Sequence, residues 1–256
     1  MKVFNSNDFP ELKIFEDRFA DIREEVLSLD RSRVPSIHEP YLVKTGFERD
    51  ATPWKVAFLW TQCREINNGA EANRPEYHSR IPVLSQALRE FGRVALANIS
   101  IYEPGASIGP HRNFINFTYR AHLGVKIPRG DLGLRVEDVK IKWEEGRILG
   151  FDQCLNHESW NFTGEDRWVI IIDFLRPGRT SEEKQIRDWR EGKLKTYNLP
   201  ENYNVPNAKW ITIDDIDSLH EYKVEAESYP YDLMEPVFEN NEFILKDGKS
   251  ASKATP

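Results

Sequence analysis

Two histidines give the strongest chemical signal in this chain. His111 closes the phrase Gly109-Pro110-His111-Arg112, and His157 sits in Asn156-His157-Glu158-Ser159-Trp160-Asn161. Each lies near the end of a predicted strand, so the two can meet across a barrel mouth although they are far apart in sequence. Neutral imidazole is a good ligand for iron, zinc or copper. Arg167 follows at the head of a strongly apolar run, where its planar fork suits a carboxylate in two hydrogen bonds. Together these residue types suggest an iron site with an anion-binding floor. An iron site of the two-histidine, one-carboxylate kind needs an acid close to the first histidine. Two residues on from His111 stands Asn113, which carries no charge. Water, or another acid such as Asp152, would then complete the shell. Arg120 and His122 share one strand face by the period-two rule, which makes both candidates for the same pocket.

The elements that must position these groups follow from periodicity. Residues from about Phe9 to Leu29 read as an amphipathic helix, with Phe15, Phe19, Ile22 and Val26 on one stripe. A loop rich in proline and glycine runs from Asp30 to Pro53, followed by a short apolar strand from Trp54 to Trp60. A second helix is expected from Pro82 to Phe91, stopped by Gly92. Between Arg93 and Pro177 the pattern turns to strands: Val94 to Tyr102, His122 to Ile127, Leu134 to Glu137, Val139 to Trp143, Ile148 to Phe151 and Arg167 to Leu175. Glu144-Glu145-Gly146 reads as a hairpin turn. Short strands at this spacing imply a sandwich or barrel. Past Pro177 the chain is charged to about Lys195 and then loop-like. Trp210, Ile211, Tyr222, Tyr229 and Tyr231 are candidates to pack on the main domain. The last residues, Asp247 to Pro256, read as disordered.

Composition narrows the class. The chain has 256 residues, 39% of them hydrophobic and 12% aromatic, enough for one large β domain with an extension. A net charge of -7 argues against a nucleic-acid surface. The two cysteines, Cys63 and Cys154, give no disulfide framework. No apolar signal core opens the sequence and no run is long enough to cross a bilayer, so the expectation is a cytoplasmic protein without a membrane partner.

The ordered phrases do more than the spacing of two histidines. Pro104-Gly105, Pro110-His111-Arg112, Asn116, Arg120-x-His122-Leu123, Trp143-Glu144-Glu145-Gly146, Phe151-Asp152, His157-Glu158-x-Trp160-Asn161 and Arg167 together resemble the aspartyl/asparaginyl β-hydroxylase family. The resemblance runs from Trp54-Lys55-Val56 to Leu175-Arg176-Pro177, with a similar lead-in at Ile22-Arg23-Glu24-Glu25. It implies a mainly β fold with flanking helices around a double-stranded β-helix, the jelly-roll or cupin-like core. It implies a domain over residues 1–178 with its N-terminal helices, and leaves 179–256 as an extension that could serve as a lid.

The resemblance also implies an Fe(II)- and 2-oxoglutarate-dependent dioxygenase that uses O2 to hydroxylate an unactivated carbon. His111 and His157 would be the metal ligands, with water where a carboxylate would otherwise stand. Ser100, His122 and Arg167 would contact 2-oxoglutarate, Arg167 at its distal carboxylate. Arg120 would hold a substrate carboxylate. Asn113 falls where the family has glycine, and could narrow the pocket or bond to metal-bound water. Asn98 falls where some relatives have a basic residue, which disfavours a peptidyl-aspartate substrate. Of the substrates such a family allows, an amino acid or related small carboxylate, free or bound to a carrier or peptide, is preferred over a lipid acyl chain. Halogenation with the same cofactors, or a β-barrel that binds a small acid without catalysis, are the alternatives.

Overall fold

The computed structural model describes residues 1–36, 54–61, 72–73, 75–113, 115–179, 184–190, 199–200, 207–218, 237–239 and 242–244. Its strands are β1 (Val3–Phe4), β2 (Trp54–Thr61), β3 (Ala72–Asn73), β4 (Val94–Tyr102), β5 (Ala106–Arg112), β6 (Thr118–Lys126), β7 (Leu132–Val136), β8 (Val139–Ile141), β9 (Ile148–Phe151), β10 (His157–Asn161), β11 (Arg167–Leu175), β12 (Leu199–Pro200), β13 (Lys209–Ile211), and the hairpin β14 (Val237–Glu239) and β15 (Glu242–Ile244). One sheet has the order β1-β9-β6-β11-β4-β2-β3 and the other β12-β5-β10-β7-β8-β13. Their inner faces enclose a core built from both. Leu132, Leu134, Val136, Val139 and Ile141 come from the second sheet, and Val3, Leu149, Phe151, Val169 and Ile171 from the first. This is a jelly-roll double-stranded β-helix, as expected.

The first sheet is buried on both faces, which explains the unbroken apolar run of β11. Val169 and Ile171 point between the sheets, while Trp168, Ile170, Ile172 and Phe174 point outward into a second core. That second core is closed by the N-terminal helices through Leu12, Phe15, Ile22, Val26, Leu84, Leu88 and Phe91. The helix Pro82–Phe91 has the expected bounds. Pro82 suits its first turn, and Gly92 ends it in the left-handed region at φ 71. The single helix expected over Phe9 to Leu29 is instead a 3-10 turn (Pro10–Leu12) and two helices, Lys13–Asp17 and Phe19–Leu27. The break at Arg18 accompanies a polar anchor. Glu16 reaches inward to accept from the Ile148 backbone N–H at 2.7 Å and from Ser6 at 2.6 Å.

Two strands that periodicity missed are the ones that hold the histidines. β5 contains Gly109 and Pro110, residues that weaken a strand signal. β10 is short, and its exposure alternates poorly. Beyond residue 178 the chain adds β12 and β13 to the second sheet. Ile211, Ile213 and Ile216 join the core between the sheets, and Ile186 packs with Ala95 and Phe117. β12 pairs Leu199 with Arg112 and Pro200 with His111, so the extension runs beside the histidine strand. Tyr222, Tyr229, Tyr231 and the tail expected to be disordered lie outside the described residues. Among the described residues no helix is long and apolar enough to cross a membrane.

Candidate active site

Strand pairing brings the two histidines together directly. His157 on β10 is the Cα partner of His111 on β5, and their ring centroids are 4.1 Å apart. Each ring is locked by the same local device. His111 Nδ1 donates to Gly109 O and His157 Nδ1 to Leu155 O, both at 2.8 Å. A carbonyl can only accept, so the proton sits on Nδ1 and the lone pair on Nε2 in both rings. Bonding one nitrogen to a carbonyl fixes which nitrogen can meet a metal. Burial, and then the charge of nearby His111, push the His157 pKa well below 6.5, which keeps the ring neutral and able to ligate. The donor set therefore fits a metal that accepts imidazole nitrogen. Among the described residues no group of three His, Cys, Asp or Glu side chains comes together.

A buried arginine braces this pair. Arg135 on β7 is 1% exposed and donates to Glu158 at 2.5 Å, to Asn156 Oδ1 at 2.6 Å and to Glu137 O at 2.9 Å. Asn156 and Glu158 flank His157, so the guanidinium holds the strand on both sides of that ring. Asp152 is not a ligand. Its carboxylate accepts from Arg176 at 2.6 Å and from the Cys154 N–H at 3.0 Å. Asn113 does not bond toward the metal position either. Its amide donates to Gln153 Oε1 at 2.8 Å, and Gln153 in turn donates to Thr118 at 2.7 Å. This chain fastens the β5–β6 connection.

The opposite inner face carries a cluster of buried hydrogen-bond donors. On β11 the side chains of Arg167, Val169, Ile171 and Asp173 alternate inward. Arg167 is 1% exposed and has no carboxylate partner among the described residues. Its guanidinium lies over the Tyr102 ring at 3.9 Å and the Trp143 ring at 4.6 Å, with its Nε unbonded. Burial lowers its pKa from 12.5 to about 10. A buried cation without a counter-charge is costly, and an entering anion relieves that cost. Ser100 on β4 accepts from Trp54 Nε1 at 2.9 Å and from Arg167 at 3.5 Å. With both lone pairs engaged, its hydroxyl proton is left to donate.

His122 on β6 belongs to the same cluster. Trp143 Nε1 donates to its Nδ1 at 3.0 Å, which places the proton on Nε2. That Nε2–H is buried without a partner. The tautomer is opposite to that of His111 and His157. Burial, reinforced by Arg120 and Arg167, pushes the His122 pKa well below 6.5. Trp143 is placed by the turn after it, where Gly146 N donates to Gly124 O at 2.9 Å. A Cβ on Gly124 would meet Glu144 O at 2.2 Å, so only glycine fits there.

Arg120 lies on the face of His122, as expected, but its fork is occupied. Nε and Nη2 donate to the two oxygens of Asp173 at 2.7 and 2.8 Å. Asp173 is not among the expected site residues, although it shares the face of Arg167 by period two and interrupts an apolar run. Trp143 and Tyr102, the walls around Arg167, were also given no role. Contacts link several of the expected site residues: the His111 ring meets His157, the His157 and His122 rings both meet Phe151, and Arg167 bonds Ser100. The remaining histidine that can be described, His78, is structural and bonds Ser85 and Leu59 O.

Comparison with known proteins places the chain in a family. The family model described as aspartyl/asparaginyl beta-hydroxylase matches residues 16–177. The ornithine lipid ester-linked acyl 2-hydroxylase of Rhizobium tropici is 29% identical over 179 residues, 68% of this chain and 60% of that protein. The aspartyl/asparaginyl beta-hydroxylase of Mus musculus is 28% identical over 142 residues, 54% of this chain and 18% of that protein. The chain thus spans less than two thirds of either relative. Among solved structures, a prolyl hydroxylase from Trichoplax adhaerens in complex with a hypoxia inducible factor peptide aligns with TM-score 0.40 at 15% identity, covering 62% of this chain and 78% of that one. With more than half of its length matched by the family model, the chain belongs to the aspartyl/asparaginyl β-hydroxylase family.

Proposed function

We propose that this protein is an Fe(II)- and 2-oxoglutarate-dependent hydroxylase. Its substrate is an amino acid or related small carboxylate, free or bound to a carrier or peptide. The observation that carries this reading is the buried guanidinium of Arg167, without a carboxylate partner among the described residues, together with the buried Nε2–H of His122, which has no hydrogen-bond partner among them. Fe(II) with 2-oxoglutarate and O2 supplies the oxidising chemistry, in which the oxo acid becomes succinate and carbon dioxide and one oxygen atom enters a C–H bond of the substrate.

The chain's own residues bind, orient and exclude water. His111 and His157 present Nε2 lone pairs to the metal, and their Nδ1–H bonds stop the rings from turning. Arg167 takes the distal carboxylate in charge-assisted bonds between two aromatic walls. Ser100 and His122 add neutral donors to the same anion. The apolar side chains around them, Val169, Ile171 and Phe151, keep the site dry, which strengthens each of these bonds. Arg120, fixed by Asp173, faces the substrate end.

The test is succinate formation with Fe(II) and a choice of oxo acids. The reading predicts turnover with 2-oxoglutarate and little or none with pyruvate, which lacks the distal carboxylate that Arg167 would hold. Equal use of the two acids would refute it. Because the Rhizobium tropici relative is named for a lipid acyl group, the substrate screen should include an acylated amino acid as well as free amino acids.

A further inference from the structure

His122 and Arg167 share one neighbour, Trp143, whose indole is 2% exposed. Its Nε1–H donates to His122 Nδ1 at 3.0 Å. The indole and the imidazole lie nearly parallel, at 22°, with centroids 6.0 Å apart. The face of the same indole is 4.6 Å from the Arg167 guanidinium. Trp143 is itself held from outside the pocket, because it opens the turn Glu144-Glu145-Gly146. Glu145 accepts from the Ile127 backbone N–H at 3.0 Å and pairs with Arg23 of the second N-terminal helix at 3.6 Å. Gly146, at φ 76, lies against Phe19 of that helix, where a Cβ would meet the ring at 2.8 Å. The indole therefore has little freedom to turn.

An indole N–H can only donate, so the nitrogen it meets must accept. A neutral imidazole then carries its one proton on the other nitrogen. In His122 that nitrogen is Nε2, buried without a hydrogen-bond partner among the described residues. A histidine–indole pair that served packing alone would end on an acceptor within the protein. This one ends on an unbonded donor, against the same indole as a buried cation. A group that only accepts, such as a carboxylate, completes both. The other tautomer would turn a lone pair toward that carboxylate and repel it. We infer that Trp143 is a positioning residue of the 2-oxoglutarate site: its N–H selects the His122 tautomer that donates, and its ring face fixes the Arg167 guanidinium. This deepens the hydroxylase reading above and rests on it.

The experiment uses the full chain and has a spectroscopic and a binding arm. Heteronuclear NMR of metal-free protein, labelled in its histidine nitrogens, reads which nitrogen of each neutral ring is protonated. The His122 signals are identified by their loss in His122→Ala. The inference predicts His122 protonated at Nε2 in wild type and a mixture of tautomers in Trp143→Phe, which keeps a flat ring against Arg167 but removes the donor. The binding arm is anaerobic calorimetric titration of 2-oxoglutarate into Mn(II)-loaded protein. Trp143→Phe should bind it about tenfold more weakly, the scale of one hydrogen bond to a charged group. Its Mn(II) affinity should stay within about twofold of wild type, since the indole does not act on His111 or His157. His122→Ala should lose a similar factor, and adding Trp143→Phe to it should cost less than about twofold more, because the ring it acts through is gone.

Several outcomes overturn the inference. One is His122 protonated at Nδ1 in wild type, a result that needs no variant to fold. Another is a Trp143→Phe protein that keeps the Nε2 proton alone. A third is full additivity of the Trp143 and His122 changes, or a parallel loss of Mn(II) and 2-oxoglutarate affinity, either of which would make the indole a structural residue. Wild-type protein that takes up Mn(II) but no 2-oxoglutarate would sink the hydroxylase reading together with the inference. Tight 2-oxoglutarate binding that Trp143→Phe leaves unchanged sinks the inference alone.

Discussion

Replacing Arg167 with methionine should stabilise the ligand-free protein and remove its response to 2-oxoglutarate. The guanidinium is 1% exposed, and burial lowers its pKa from 12.5 to about 10. That displacement corresponds to about 3 kcal/mol against the folded state. The sign follows from linkage: near pH 11 the unfolded chain holds the proton more tightly than the folded one, so stability rises with pH between about 10 and 12.5. At neutral pH the full penalty is present. The Tyr102 and Trp143 rings at 3.9 and 4.6 Å each return about 1 kcal/mol. About 1 kcal/mol of net strain remains in the absence of an anion. Methionine fills the slot between the rings and keeps a favourable sulfur–aromatic contact. Arg167→Met should therefore raise the ligand-free melting temperature by roughly 2–4 °C.

Ligand response supplies the other half of this test. Wild-type protein with 2-oxoglutarate at about a hundredfold over its Kd, and with Zn(II) or Mn(II) in place of Fe(II), should gain about 2.7 kcal/mol. That gain is a rise of roughly 5–10 °C. The variant should show no such rise at the same concentration, because its charge-assisted bonds are gone. Differential scanning calorimetry of the two proteins, with and without 2-oxoglutarate, measures both effects. A variant that melts several degrees below wild type, or that keeps the 2-oxoglutarate shift, would refute the reasoning.

Other perturbations follow from the same geometry. Arg120→Ala leaves the buried Asp173 carboxylate unpaired and should cost about 3–5 kcal/mol in urea denaturation, while the paired Arg120→Leu, Asp173→Leu protein recovers most of it. Strict additivity of the two single changes would contradict the pairing. Arg135→Lys keeps the charge but loses the fork that spans Asn156, Glu158 and Glu137 O, and Mn(II) affinity should fall about 10–100-fold. An unchanged Mn(II) titration would show that the brace does not act on His157. Acidification should destabilise the metal-free protein, because burial holds His122 and His157 neutral while the unfolded histidines take up protons below about pH 6.5. Each of the two adds a slope of about 1.4 kcal/mol per pH unit below that point, and a flat stability profile between pH 6.5 and 5 would count against their burial as neutral rings.

Much of the fold was legible because its signals are local. The apolar run of β11, the helix from Pro82 with its stop at Gly92, and the turn at Gly146 each follow from residue type alone. The strands holding His111 and His157 were not, because β5 contains Pro110 and Gly109 and is recognised by its pairing with β10 and β12. The break at Arg18 accompanies the bond between Glu16 and Ile148, a contact that no periodicity reveals. At the site, His111, His157 and Arg167 stood out by type and phrase. The roles of Asp173, Trp143 and Tyr102 depend on which neighbours face them across strands, and register is set by the whole sheet. Asn113 shows the same limit. Its position suggested a group beside the metal, yet its amide is turned to Gln153.

The central claim is that His111 and His157 hold Fe(II) and that Arg167 holds 2-oxoglutarate against it. Anaerobic addition of 2-oxoglutarate to the Fe(II)-loaded protein tests this most directly, read as the visible charge-transfer band of a 2-oxo acid chelated to ferrous iron. The account predicts that the band forms in wild type, disappears in His157→Ala, and needs far more 2-oxoglutarate in Arg167→Met. A band of full strength in His157→Ala, or no band in wild type, would contradict it.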